Sequence, residues 1–213
     1  MSNFLQQHCL YQDDDLLVIN KPAGILTIPG KGDLTDSVLT RLQAIEPRTL
    51  LIHRLDRDTS GILVFALNKA AQRHVSIQFQ ERQTAKYYHA VVAGHLIGAG
   101  QINIPVVYDA EHPPLHKVDE HEKKPAITDW QALQHLQWQG RDVTRVRLKP
   151  ITGRSHQLRV HMQYLGHAIV GDTLYADLAA QQLTPQLCLH AERLEITHPT
   201  QLQTIVFECA ADF

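Results

Sequence analysis

The amino-acid sequence predicts an α+β fold, a mostly antiparallel central sheet with flanking helices. Three observations lead there. Apolar or alternating runs of strand length recur at close spacing along the chain. A few segments instead carry apolar residues at helical spacing. Neither an internal repeat nor a low-complexity linker divides the 213 residues. Strands close in sequence pair most readily as antiparallel neighbours, and helices then cover the sheet.

The elements follow in order. LLVINKPAGIL starts with apolar and β-branched residues and turns at Pro22-Ala23-Gly24, a strand followed by a loop. DSVLTRLQAI places Val38, Leu39, Leu42 and Ile45 at helical spacing, with Asp36 as the expected N-cap and Pro47 as the stop. GILVFAL reads as a buried strand. Asn68 is the expected cap of the next helix, KAAQRHVSIQFQER, whose buried stripe is Ala71, Val75 and Phe79. KYYHAVVAG, QINIPVV and TDWQALQHL are further strands. In DVTRVRLKP, Val143, Arg145 and Arg147 alternate against Thr144, Val146 and Leu148, so one face is basic and turned to a ligand or to water. SHQLRVHMQYLG is a short helix with Ser155 as N-cap and Gly166 at its end. LHAERLEITHP and QTIVFECA supply two last strands around a proline turn. The segment from Asp109 to Pro125, rich in His, Pro and charge, is expected to be an exposed loop.

Composition narrows the class. Hydrophobic residues make up 44%, enough for a core and against disorder as the main state. No apolar run approaches the roughly 18 residues of a membrane span. The opening MSNFLQQHCLYQDDD lacks the basic end and apolar stretch of a signal peptide. Cys9, Cys188 and Cys209 form no CxxC pair and suit a reducing cytoplasm. The formal charge of −2 hides an asymmetry: the balance is +4 over residues 41–86 and +5 over residues 141–161, against −11 elsewhere. Two basic segments on an acidic background suit a polyanion cleft, and equally suit solvated faces or internal ion pairs.

The segment that carries chemistry is HRLDRDTSG, residues 53–61, between the apolar runs 50–52 and 62–67. Such a loop, held at both ends by buried strands, positions functional groups well. Asp56 and Asp58 lie among His53, Arg54 and Arg57. A carboxylate flanked by cations favours its ionised form, which suits a nucleophile or base better than an acid. A charged β-turn fits the same spacing, with Thr59 and Ser60 bonding the backbone. A glycosidase pair fits poorly, because residues two apart rarely flank a bond from opposite sides. Spacing alone leaves these alternatives open.

HRLDRDTSG resembles the signature of the RluA family of pseudouridine synthases, in which HRLD is followed by two variable residues and TSG. INKPAGIL resembles that family's N-terminal strand and turn, KYYHAVVAG its tyrosine-bearing strand, and ITGRSHQLRVHMQYLGHAIVGDTLYA its C-terminal block. Together they run in the family's order from Leu17 to Tyr175. The resemblance implies a single pseudouridine-synthase catalytic domain over residues 1–213, with an active-site cleft. Larger relatives carry an S4-type RNA-binding domain first, and the residues before Leu17 are too few for one.

The family converts uridine in RNA to its C-glycoside without a metal or organic cofactor. The resemblance implies that Asp56 attacks C1′ or removes the 2′ proton, and that Arg159 is its cationic partner rather than a surface arginine. It further implies that Tyr88 stacks on the uracil, a role for which a flat face is suited; strand alternation puts Tyr87 on the other face, as the candidate core tyrosine. Arg54 would occupy the space left by the flipped nucleotide, or else contact a phosphate or pair with Asp58, and Leu158 would pack against the uracil or serve simply as helix core. Arg57, Lys86, Lys149 and Arg154 are candidate phosphate contacts from spacing and charge, positioning RNA without reading its sequence.

Among the 14 histidines there is no HExxH, and His156 and His161 are five apart, so no metal site is expected. His53 is expected to pack or hydrogen-bond within its loop. The expected partner is RNA, with no membrane and a monomeric chain in the cytoplasm. The resemblance implies short stem-loops as substrates, uridine 32 of tRNA anticodon loops and uridine 746 of 23S rRNA, read by shape. The alternatives are a relative acting on another single tRNA or rRNA position, an RNA-folding or binding factor with secondary catalysis, and a nucleoside or glycoside hydrolase that releases free base or sugar.

Overall fold

The computed structural model describes residues 2–213. The chain forms two compact units, one running through Lys86 and taking up His190–Asp212, the other comprising Tyr87–Leu189 with Phe213. Among the described residues no helix is long and apolar enough to cross a membrane.

The first unit contains α1 (Ser2–His8), β1 (Cys9–Gln12), β2 (Leu16–Lys21), α2 (Val38–Gln43), β3 (Leu50–Leu51), β4 (Ser60–Ala66) and α3 (Lys69–Gln80). The chain returns to it in β11 (Leu189–Thr197) and β12 (Thr204–Glu208). β2 pairs antiparallel with β1 and β4, and β11 pairs antiparallel with β12 but parallel with β4. Leu16–Ile19 and Leu63–Ala66 are completely buried, which explains why these strands read as continuous apolar runs rather than alternating ones. Val18, Ile62 and Val64 pack with Val75, Leu194, Ile196 and Phe207.

The expected stripe of α3 is present: Ala71 and Val75 are buried and Phe79 packs at the core edge. Asn68 accepts the Ala71 N–H at 2.9 Å, as a helix cap should. Buried Gln78 adds a polar anchor: its amide donates to Thr197 O at 2.8 Å and accepts from Thr197 N at 2.7 Å. The cap of α2 is Ser37 rather than Asp36. Ser37 Oγ accepts the Thr40 N–H at 3.1 Å while Thr40 Oγ1 accepts the Ser37 N–H at 3.0 Å, a reciprocal pair that leaves Asp36 to bind Arg41 at 2.6 and 2.8 Å.

The second unit is built on β5 (Ala85–Ala93), β6 (Ala99–Asn103), β9 (Ile127–Trp138) and β10 (Arg141–Pro150), all antiparallel. Register pairs Leu148 with Tyr88 and Val146 with Ala90, and this face packs against Leu158 and Met162 of α4 (Gln157–Tyr164). Arg145 and Arg147 lie on the other face, as the alternation predicts. Leu178–Gln181 forms the short helix α5, capped by Asp177.

Two expectations change here. The segment after Asp109 is not wholly loop: β8 (His116–Val118) pairs with β7 (Val106–Tyr108) as a hairpin, too short and polar to show a period. The N-cap of α4 is His156, in the left-handed region at φ 54°, and not Ser155. His156 makes no side-chain cap bond. Gln157 satisfies the turn instead, its Oε1 accepting from Arg154 N at 3.0 Å and Thr152 Oγ1 at 2.7 Å.

The glycine of TSG has a physical reason. Gly61 has φ +107°, and a Cβ there would lie 2.4 Å from Ala191 O on the parallel strand. Gly24 also has positive φ, +83°, but open space around its Cβ direction. Gly61→Ala is therefore expected to destabilise by roughly 3 kcal/mol or more, and Gly24→Ala by about 1 kcal/mol. Equal losses in urea unfolding would contradict the close approach of β4 and β11.

Candidate active site

Asp56 sits in the loop between β3 and β4, half-buried, with both neighbours tied to the segment that follows β2. On one side Leu55 is buried, and Thr27 clamps its backbone: Thr27 Oγ1 donates to Leu55 O at 2.8 Å and accepts from Leu55 N at 3.1 Å. On the other side Arg57 O accepts the Gly24 N–H at 2.9 Å and the Lys21 ammonium at 2.8 Å. The Thr59 N–H closes the turn on Asp56 O at 3.3 Å. Asp56 is thus the one unclamped side chain between two clamped main-chain positions.

Lys21 is the centre of this arrangement. It has no exposed surface, and its Nζ donates to Pro22 O, Arg57 O and Thr59 O at 2.9, 2.8 and 2.8 Å. Three carbonyls match the three donors of an ammonium. Burial pushes the group down to about 8, against the pull of the Asp58 and Asp56 carboxylates. It remains largely charged at neutral pH and places a cation beneath the loop.

His53 is structural. Its Nε2 accepts the Val64 N–H at 3.1 Å, and its ring stacks on Phe79 with centroids 4.5 Å apart. Desolvation, then the Lys86 charge, push it down to about 3, so the acceptor form persists at neutral pH. Its bond reaches β4 rather than staying inside the loop. Arg57 pairs with Asp58 at 2.9 and 3.1 Å, an exposed bidentate pair, so the alternative of an Arg54–Asp58 pair meets a carboxylate already bound by its neighbour. Arg54 is exposed. Lys86 is half-buried with Nζ 6.0 Å from the Phe79 ring centroid, and burial together with Arg82 lowers its pKa.

The second unit holds the other predicted residues. Tyr88 packs at the edge of the core that contains Leu148 and Leu158, on the opposite strand face from Tyr87. Lys149 Nζ lies 5.5 Å from the Tyr87 ring centroid. Arg154 is half-buried and donates from Nε to Pro125 O at 3.3 Å. Arg159 is 3% exposed, so the surface reading of this arginine fails. Its Nε and Nη2 donate to Asp172 Oδ2 and Oδ1 at 2.7 and 2.6 Å, and Asp172 is fully buried.

Sequence pattern does not single out Lys21, Thr27 or Asp172. The first two act on main-chain groups, which carry no residue identity, and Asp172 lies thirteen positions from the arginine it holds. The apolar surroundings of Lys21 are the one available signal: a lysine ending a buried strand needs a partner. Asp109, Glu111 and His112 place donor atoms within 4.8 Å of one another, but Asp109 is already engaged by His112 at 3.0 Å and Lys117 at 3.1 Å.

One unit thus carries an aspartate held by a two-sided main-chain clamp, and the other a buried guanidinium–carboxylate pair and a half-buried tyrosine. Residues 15–164 match the family model of RNA pseudouridylate synthases, and the chain belongs to that family. It is an RNA-modifying isomerase. The chain is 47% identical to the dual-specificity RNA pseudouridine synthase RluA of Escherichia coli over 206 residues, covering 96% of this chain and 93% of that one. It is 45% identical to the corresponding protein of Haemophilus influenzae, with the same coverage. Among solved structures it resembles human RNA pseudouridylate synthase domain containing 1, with TM-score 0.83, 32% identity and coverage of 97% and 84%.

Lys21→Met is expected to destabilise by about 3 kcal/mol, because three carbonyls lose the ammonium, of which Arg57 O keeps a second donor, the Gly24 N–H. Urea unfolding measures it, and a loss under about 1 kcal/mol would contradict the clamp. For His53 the sign is worked from its lowered pKa: below pH 6.5 the unfolded chain binds the proton and the folded chain does not. Stability from this group is present at neutral pH and falls as pH drops through the window from 6.5 towards 3. His53→Gln keeps an acceptor without titrating, so its unfolding midpoint is expected to gain on wild type between pH 6.5 and 4.5. A constant gap would count against this.

Proposed function

We propose that this pseudouridine synthase acts on uridines in short stem-loops of both tRNA and 23S rRNA, as the names and identities of its relatives support. Asp56 is the reacting carboxylate, acting on the ribose by attack at C1′ or by taking the 2′ proton. The C1′–N1 bond breaks and the uracil turns while held; a C1′–C5 bond then forms as the Asp56–C1′ bond breaks or as the 2′ proton is returned, the C5 proton is released, and N1 takes up a proton, so the product is an isomer of the substrate. Arg159 supplies the guanidinium that such a carboxylate requires, and Tyr88 offers a flat face to the turning base. Arg54 supports the flipped nucleotide and Leu158 packs against the uracil. Arg57, Lys86, Lys149 and Arg154 contact phosphates; for Arg57 this requires exchange with Asp58, which is inexpensive at an exposed pair. The chain works as a monomer in the cytoplasm, a setting supported by a cysteine complement without a CxxC pair.

The observation that carries this reading is the two-sided clamp, which fixes the main chain on either side of Asp56, while the Asp58 carboxylate, also between held main-chain positions, is taken up by Arg57. Preorganisation of this kind is what a reacting group needs.

The test is tritium release from RNA labelled at uridine C5, on tRNA and 23S stem-loop transcripts, with Asp56→Asn in parallel. Wild type is expected to release tritium from both transcripts without free uracil. The variant is expected to be slower by at least about a thousandfold while RNA affinity stays within about threefold. Release that survives the substitution would remove Asp56 from the chemistry. Release from one transcript only would remove the dual specificity.

A further inference from the structure

The buried pair Arg159–Asp172 belongs to a larger assembly. Asp172 is fully buried, and its Oδ1 accepts three bonds: from Arg159 Nη2, from Leu174 N at 2.9 Å and from Tyr175 N at 3.1 Å. Its Oδ2 takes Arg159 Nε. The same carboxylate therefore orients the guanidinium and shapes the turn that carries Tyr175. Gly171, immediately before it, has φ +75°, and a Cβ there would lie 2.0 Å from Gln186 O, so the turn has little room to shift.

Tyr175 closes the assembly from the other side. Its ring lies 5.0 Å from the Arg159 guanidinium carbon, near enough for a cation–π contact. Its hydroxyl accepts the His116 N–H of β8 at 2.9 Å and bonds His156 Nδ1, at the N-cap of α4, at 2.6 Å. Val106, Val160 and Tyr175 share one small core with Ala126, which fixes the hairpin against the helix that bears Arg159. A long flexible side chain is thus held along one edge by a carboxylate and over its carbon by an aromatic face.

We propose that Asp172 and Tyr175 are positioning residues for the reaction, fixing the orientation of Arg159 so that its guanidinium meets the substrate already aligned. The inference rests on the reading of Arg159 as the catalytic guanidinium. The turn and the arginine can be separated experimentally. Asp172→Asn keeps an oxygen for Leu174 N, Tyr175 N and Nη2, but sets an amide N–H against Arg159 Nε, so the turn persists while the arginine loses its alignment. Tyr175→Phe keeps the ring and removes only the hydroxyl.

The experiment measures single-turnover tritium release and RNA affinity for wild type, Asp172→Asn, Tyr175→Phe, Arg159→Lys and the double variant Asp172→Asn with Arg159→Lys. Asp172→Asn is expected to slow turnover roughly a hundredfold, with RNA affinity within about threefold of wild type. Tyr175→Phe is expected to slow it about fivefold. In the Arg159→Lys background, which lacks the planar fork, Asp172→Asn is expected to add less than about threefold. A rate unchanged by Asp172→Asn, one that falls only in step with affinity, or full additivity in the double variant overturns the proposal. Should Asp172→Asn not fold, Tyr175→Phe decides it: a slowed rate at unchanged affinity supports it and an unchanged rate overturns it. Inactive wild type would instead overturn the functional reading on which the inference rests.

Discussion

A lysine with no contact to water lies beneath the loop that carries Asp56. Taking an ammonium out of water costs several kcal/mol, and a single carbonyl would not offset that. Three carbonyls and two nearby carboxylates do, and the geometry they require is the geometry of the loop: Arg57 O and Thr59 O must both turn towards Nζ. Arginine would not substitute, because a planar fork cannot address three carbonyls grouped around one point. The position of Asp56, one residue before Arg57, follows from this constraint and from Thr27 on the opposite side.

The second unit solves a comparable problem with opposite signs. There the cation is the long side chain that must be immobilised, and the buried carboxylate of Asp172 does it. In both places a buried charge is hydrogen-bonded, Lys21 by three carbonyls and Arg159 by the Asp172 carboxylate, the condition under which burial is tolerated. Groups that must act at a defined point cannot be left to sample rotamers in water, and the cost of burying their anchors is carried by the surrounding apolar cores.

Much of this was legible beforehand, for identifiable reasons. Buried strands such as Leu16–Lys21 and Ser60–Ala66 announce themselves as apolar runs, and Asn68 sits at the one position before α3 where its side chain can cap. Short elements were not legible: β1, β3, β8 and α5 span two to four residues each, below the length at which any period emerges. The parallel pairing of β11 with β4 joins residues some 130 positions apart, and local pattern is silent on such contacts. Asp56, Arg159 and Tyr88 stand in ordered motifs, whereas Lys21, Thr27 and Asp172, which hold the first two, carry no such signal. Lys21 binds main-chain oxygens, and the αL turn at His156 that displaced Ser155 as a cap is a backbone property. Interactions with the main chain leave no complementary residue to find.

The most direct test is the protonation of Lys21 itself, followed by ¹⁵N NMR of its Nζ across a pH titration. The clamp predicts a midpoint at about 8, and a lower one in Asp58→Asn, where the strongest opposing carboxylate is gone. A midpoint near the ~10.4 of an exposed lysine, unmoved by Asp58→Asn, would mean that Nζ is solvated and that the loop bearing Asp56 is held by something else.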